Sequence, residues 1–296
     1  MKKKAFTLIE LLVVISIIAM LMAIMMPALA KVRRIAKQTI CGTRIKQNLY
    51  GASLVANDNN GRLPKGGFQF GNINFDDAIS IRAEEYLNLC EYTVGIGGSI
   101  NTNVNMDPRE MAPIAQKVLT SKARDNFVCP ELEKQEYDLG GTNIIRGVTK
   151  STMPYIARYG GAGWNTRIGY CYLGGFDSDK WNWDNYPEMA EKWRSPMTIA
   201  DSGDSALVTD RYRYVPKRGA LVVVHGKTGY EQYPENDSDP RNVMKEYSSA
   251  KSNVGRLDGS VINKGIGSLK PYHVTWETTE NYNGPWDYTG PDYYFW

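Results

Sequence analysis

Cysteine offers the most distinctive chemistry in this chain of 296 residues, at Cys41, Cys90, Cys129 and Cys171. No CxxC pair occurs, and the two histidines, His225 and His273, are not spaced as zinc ligands, so the cysteines are expected to be structural, either bridged or buried. In an exported protein the four would allow two disulfides in three connectivities. Asp201, Asp204 and Asp210 could serve as paired acids, and Ser248 with His273 as nucleophile and base. Without a nucleophile elbow, phosphate loop or zinc motif to frame them, they read as turn or surface groups and no catalytic residue is assigned. Asp58-Asn59-Asn60 and Asn236-Asp237-Ser238-Asp239 cluster oxygens of the type calcium prefers. Neither has the spacing of a calcium loop or its terminal bidentate Glu, so they read as turns. No metal ligand and no cofactor are assigned, calcium being the one ion these clusters would suit.

Glu10 is unusual for its position. Residues 11–30, LLVVISIIAMLMAIMMPALA, contain no charge, and a helix of that length rises about 30 Å, the depth of a bilayer's hydrocarbon core. A carboxylate at the edge of such a span is costly unless paired, which makes Glu10 a functional residue by default. A secretory signal has a shorter apolar region of about 7–15 residues, so this run reads as a retained membrane span. Lys2, Lys3 and Lys4 precede it, and Lys31, Arg33, Arg34 and Lys37 follow, so charge alone leaves its orientation undecided. Without the three leading lysines the 35 basic residues become 32, equal to the 32 acidic ones, and no nucleic-acid footprint remains.

The elements that must position these residues follow from periodicity. Val32, Ile35, Ala36, Ile40, Thr43, Leu49, Ala52 and Ala56 recur at helical spacing, which predicts one helix from Phe6 to about Ala56, apolar all round at first and amphipathic afterwards. Asn57 to Gly61 and Pro64 end it. Residues 65–130 read as an insertion with helices at Asp76 to Leu89 and Pro108 to Thr120. Strands are expected at Arg167 to Leu173, Met197 to Ala200, Ala206 to Thr209 and Ala220 to Val224, with a hairpin of Val254 to Leu257 and Ser260 to Asn263 about Asp258-Gly259. Seven Trp and 19 Tyr supply rings that pack a large head or stack on sugars, the loop Trp181 to Tyr186 being the best glycan contact.

Read together, KKKAFTLIELLVVISIIAMLMAIMMPAL resembles the N-terminus of type IV prepilins and type II secretion pseudopilins. CGTRIKQNLYGASLVANDNNGRLP, FVCP (Phe127 to Pro130) and MTIADS (Met197 to Ser202) resemble the large pilin-like proteins of planctomycete- and lentisphaera-type bacteria. Where those carry a His nine residues before Asp-Gly, this chain has Ser248. The resemblance implies an α+β pilin-like fold, a long helix packed on an antiparallel sheet, and division into a leader (1–5), a membrane or filament-core half-helix (6–30), an amphipathic half (31–57) and a head (58–296). It implies cleavage between Ala5 and Phe6 by prepilin peptidase, N-methylation of Phe6, and pairing of Glu10 with a neighbour's Phe6 amine. Pro27 falls near the pilin helix proline and is expected to break the helix. Cys41 and Cys129 are loosely paired by the same resemblance, as a disulfide. The partners implied are other pilin subunits and an inner-membrane assembly platform, with the N-terminus cytoplasmic and the head periplasmic or in an extracellular filament. The function expected is a filament or pseudopilus subunit rather than an enzyme; the alternative is a tethered module that captures polysaccharide.

Overall fold

A computed structural model describes residues 7–70, 73–75, 80–95, 107–121, 123–132, 143–146, 155–158, 164–176, 194–215, 220–226, 231–234, 245, 247, 250–274 and 292–296. The fold is α+β: one long N-terminal helix followed by antiparallel sheets. Helix α1 spans Leu8–Asp58 and opens with a reciprocal cap, in which the Thr7 hydroxyl accepts from the Glu10 backbone N–H at 3.3 Å and the Glu10 carboxylate accepts from the Thr7 N–H at 2.8 Å. It ends where Asn60 adopts φ 54° and the Gly61 N–H returns to the Ala56 carbonyl at 2.8 Å. Pro27 does not end the helix, contrary to the break expected there. Proline removes one donor and crowds the preceding turn, but the helix continues on both sides, in a segment that none of the other described residues buries.

The two halves of α1 have opposite environments. Leu8 through Ile40 are almost wholly exposed, although the stretch is dominated by Leu, Ile, Val and Met. From Cys41 onwards one face is buried, through Cys41, Ile45, Asn48, Leu49, Ala52, Val55 and Ala56, at the i, i+4, i+7 spacing of a core stripe. That stripe lies on an antiparallel sheet ordered Val261–Gly265, Lys251–Arg256, Ala206–Asp210, Tyr170–Tyr172. Gly255 allows the close approach: a Cβ there would meet Ile45 Cγ2 at 2.5 Å and Leu49 Cδ1 at 2.9 Å.

A second sheet is ordered Glu231–Pro234, Ala220–Val223, Tyr212–Val215, Asp292–Phe295, Pro271–Val274, and a third Ser80–Arg82, Trp164–Arg167, Tyr155–Arg158, Asn143–Arg146. Helices α2 (Ala83–Val94), α3 (Pro108–Thr120) and α4 (Ala123–Asn126) belong to the same core as α1, contributing Tyr86, Leu87, Met111, Val118 and Ala123. The helix expected over Pro108 to Thr120 and the hairpin about Asp258-Gly259 are present. Other expectations change. Helix α2 starts seven residues later than Asp76, after a strand. Arg167 to Leu173 divides between two sheets at Gly169, where the missing side chain leaves room for Val128 Cα at 3.0 Å. Met197 to Ala200 is a turn closed by Asp201, whose carboxylate accepts from the Met197 and Thr198 N–H groups at 2.6 and 2.9 Å, with a single bridge from Thr198 to Arg62.

Candidate functional site

Two places concentrate chemistry. At the N-terminal end, Glu10 also accepts from the Thr7 hydroxyl at 2.8 Å, so within one subunit it is a capping residue as well as a charge beside the apolar run. The sequence signal for this, Thr7-x-x-Glu10, is the capping-box spacing, which the search for charge beside an apolar run does not detect. Ala5 and Phe6 lie outside the described residues.

The second place is the seam where α1 meets the head. Lys37, Cys41, Arg44 and Asn48 follow one another at helical i, i+4, i+7, i+11 spacing and together hold the turn formed by FVCP. Asn48 donates to the Asn126 carbonyl at 2.9 Å, Arg44 to the Val128 carbonyl at 2.5 Å, and Lys37 pairs with Glu131 at 2.9 Å. From the other side Gly169 donates to the Phe127 carbonyl at 2.7 Å and the Tyr170 hydroxyl to Val128 at 3.3 Å. This clamp sets Cys41 Sγ 2.7 Å from Cys129 Sγ, both fully buried thiols. The separation exceeds the roughly 2.05 Å of a disulfide but is shorter than a hydrogen-bonded or merely packed pair needs. Cys90 sits on α2 and Cys171 in the Tyr170–Tyr172 strand.

Beside the sulfurs, the chain steps from one sheet to the next through a single residue, Arg211, and Asp210 and Tyr212 there meet His225, in the turn after the Ala220–Val223 strand. Asp210 is completely buried, so its expected place among turn and surface groups was wrong; Asp204, by contrast, is exposed and pairs with Arg256 at 2.9 Å. One oxygen of Asp210 accepts from the Asn253 backbone at 2.7 Å, from the Asn253 amide at 2.9 Å and from His225 Nε2 at 3.3 Å; the other has no partner among the described residues. His225 Nε2 lies 3.7 Å from Cys129 Sγ, and its backbone N–H donates to the Tyr212 hydroxyl at 3.3 Å.

Burial opposes charge on His225, but the Asp210 carboxylate outweighs it and raises the imidazole to about 11, so it is a cation at neutral pH. Burial likewise opposes a Cys129 thiolate, yet donation from the Cys41 S–H and from His225 brings that thiol down to about 7. Burial holds Cys41 far above the ordinary thiol range. Cys129 is therefore the more acidic thiol of the pair and Cys41 its donor.

Cys41, Cys129 and His225 place one ligand atom each within 4.8 Å of one another, a juxtaposition invisible in the sequence because 88 and 96 residues separate them. The donor set suits a soft cation. The spacing does not, since two thiolates on tetrahedral zinc stand about 3.8 Å apart at Zn–S near 2.3 Å. Of the other candidates, Asp58 accepts from the Tyr92 hydroxyl. Ser248, Asn236 to Asp239 and the Trp181 to Tyr186 loop lie outside the described residues, whereas Trp164 and Trp296 are buried, Trp296 stacking on Tyr272 at 4.5 Å.

Residues 1–26 match the prokaryotic N-terminal methylation motif. No curated protein and no solved structure matches the chain. That motif, with an exposed apolar half-helix and an antiparallel head, is similar to what type IV prepilins and pseudopilins carry, and among the described residues α1 is the one helix long and apolar enough to cross a membrane.

Proposed function

We propose that the chain is a structural subunit of a type II secretion pseudopilus or type IV pilus-like filament, cut between Ala5 and Phe6 by prepilin peptidase and methylated on Phe6. The observation that carries this reading is the contrast within α1. Among the described residues nothing covers its first half, while its second half is consumed by the head core. An exposed apolar helix of this length needs lipid before assembly and other apolar helices after it. With the N-terminus cytoplasmic, insertion and extraction of this half-helix is how subunits join and leave, and Glu10 registers each one by pairing with a neighbour's Phe6 amine.

The clamp around FVCP fits the same role. Lys37, Cys41, Arg44 and Asn48, together with the buried stripe through Ala56, tie α1 to the head. On export, exchange with a disulfide donor would join Cys41 to Cys129 and make that junction covalent. Shearing of cells followed by fibre sedimentation tests the assembly reading. The subunit should appear in the sheared fraction, or secretion should depend on it; recovery solely in membranes with secretion intact would reject it.

A further inference from the structure

Directly above His225, α1 and the head enclose a cleft of about 220 Å³ lined by Lys31, Arg34, Gln38, Glu131, His225 and Lys251, with Ile35 on its wall. Its acidic member is already neutralised, since Glu131 bonds to Lys37 at 2.9 Å. Among the described residues no carboxylate pairs with Lys31, Arg34 or Lys251. The floor is the edge of His225, whose own counter-ion, Asp210, lies behind it and is fully buried. Three cations with no carboxylate partner among the described residues, an amide and a backed imidazole thus line one small opening, an arrangement that selects a compact oxyanion.

The height of the cleft along α1 identifies the source of that anion. Lys31 is the first residue after the uncharged run 11–30, and Gln38 lies seven residues on, a rise of about 10 Å. The cleft therefore stands where a spanning helix leaves hydrocarbon and enters the headgroup layer. We propose that it binds the phosphodiester headgroup of an anionic phospholipid, such as phosphatidylglycerol. This inference rests on the membrane-anchored reading of α1. Lys251 arrives from a strand some 220 residues away in sequence, so the site exists only when α1 is docked on the head. A subunit so held keeps its lower head at the membrane surface until the lipid is exchanged.

The test is native mass spectrometry of the full chain purified in neutral detergent and offered phosphatidylglycerol and phosphatidylcholine in equal amounts. Retention of phosphatidylglycerol in excess is expected. Arg34→Ala and Lys251→Ala should each reduce it about fivefold, whereas Arg33→Ala, which removes a neighbouring charge outside the cleft, should leave it unchanged. Thermal unfolding of each variant verifies that the head remains folded. Equal losses in Arg33→Ala and Arg34→Ala would reduce the effect to unspecific charge and overturn the site. Stabilisation by free glycerol phosphate without retained lipid would overturn the lipid assignment. Carbonate extraction separates the two levels of inference: a chain released from membranes refutes the anchor itself, while an integral chain with no headgroup preference refutes only this site.

Discussion

Joining Cys41 to Cys129 would close a loop of 88 residues that contains α2, α3 and α4. Restricting the unfolded chain by a loop of that length removes about 15 cal/mol/K of entropy, or about 4–5 kcal/mol at 25 °C as an upper value. For a domain of this size that corresponds to an upward shift in melting temperature of roughly 10 °C or more. The assay is thermal unfolding of the exported full chain in detergent, with and without reductant, beside Cys41→Ser and a Cys90→Ser control. Reductant and Cys41→Ser should lower the melting temperature by similar amounts, and Cys90→Ser should still respond to reductant. Peptide mapping of exported material that finds Cys41 and Cys129 as free thiols would refute the covalent junction. So would a melting temperature lowered by a chelator and indifferent to reductant, which would assign the cluster to a metal.

Three further outcomes are expected. Gly255→Ala should destabilise the head by about 1–3 kcal/mol, because the new methyl would press on Ile45, Leu49 and the Val208 carbonyl; an unchanged urea midpoint would show that α1 is not seated as described. Glu10→Ala should leave head melting unchanged and loosen the reciprocal cap with Thr7, while subunits fail to enter fibres; normal incorporation would remove the registering role. In the reduced protein His225 is raised from about 6.5 to about 11, so its pairing with Asp210 contributes stability fully below pH 6.5 that is lost as pH climbs towards 11. His225→Gln should therefore flatten the fall in urea midpoint over that range, and an identical slope in both proteins would argue against the ion pair.

The helix and its two environments were readable from the sequence because each rests on local pattern: an uncharged run, then a 3.6-residue stripe, then Asn-Gly turn chemistry. The hairpin about Asp258-Gly259 was readable for the same reason. Asp210 was not, because burial of a carboxylate depends on Asn253 and His225 arriving from other strands, and no spacing along the chain announces that. Arg44 and Asn48 lie on the helical stripe of Cys41, yet their role appears only once the FVCP turn is seated against them. Met197 to Ala200 has strand composition, but Asp201 takes up the Met197 and Thr198 N–H groups, so the segment meets residues 61–63 only at one bridge and turns.

The most direct test of the central claim is the intact mass of the mature protein recovered from cell envelopes, read with its N-terminal peptide. A chain that begins at Phe6, lacks the first five residues, carries one methyl group on its amine and retains the apolar half-helix is the predicted result. A chain that begins at Met1, or one cut after Ala30 so that the span is lost, would contradict it.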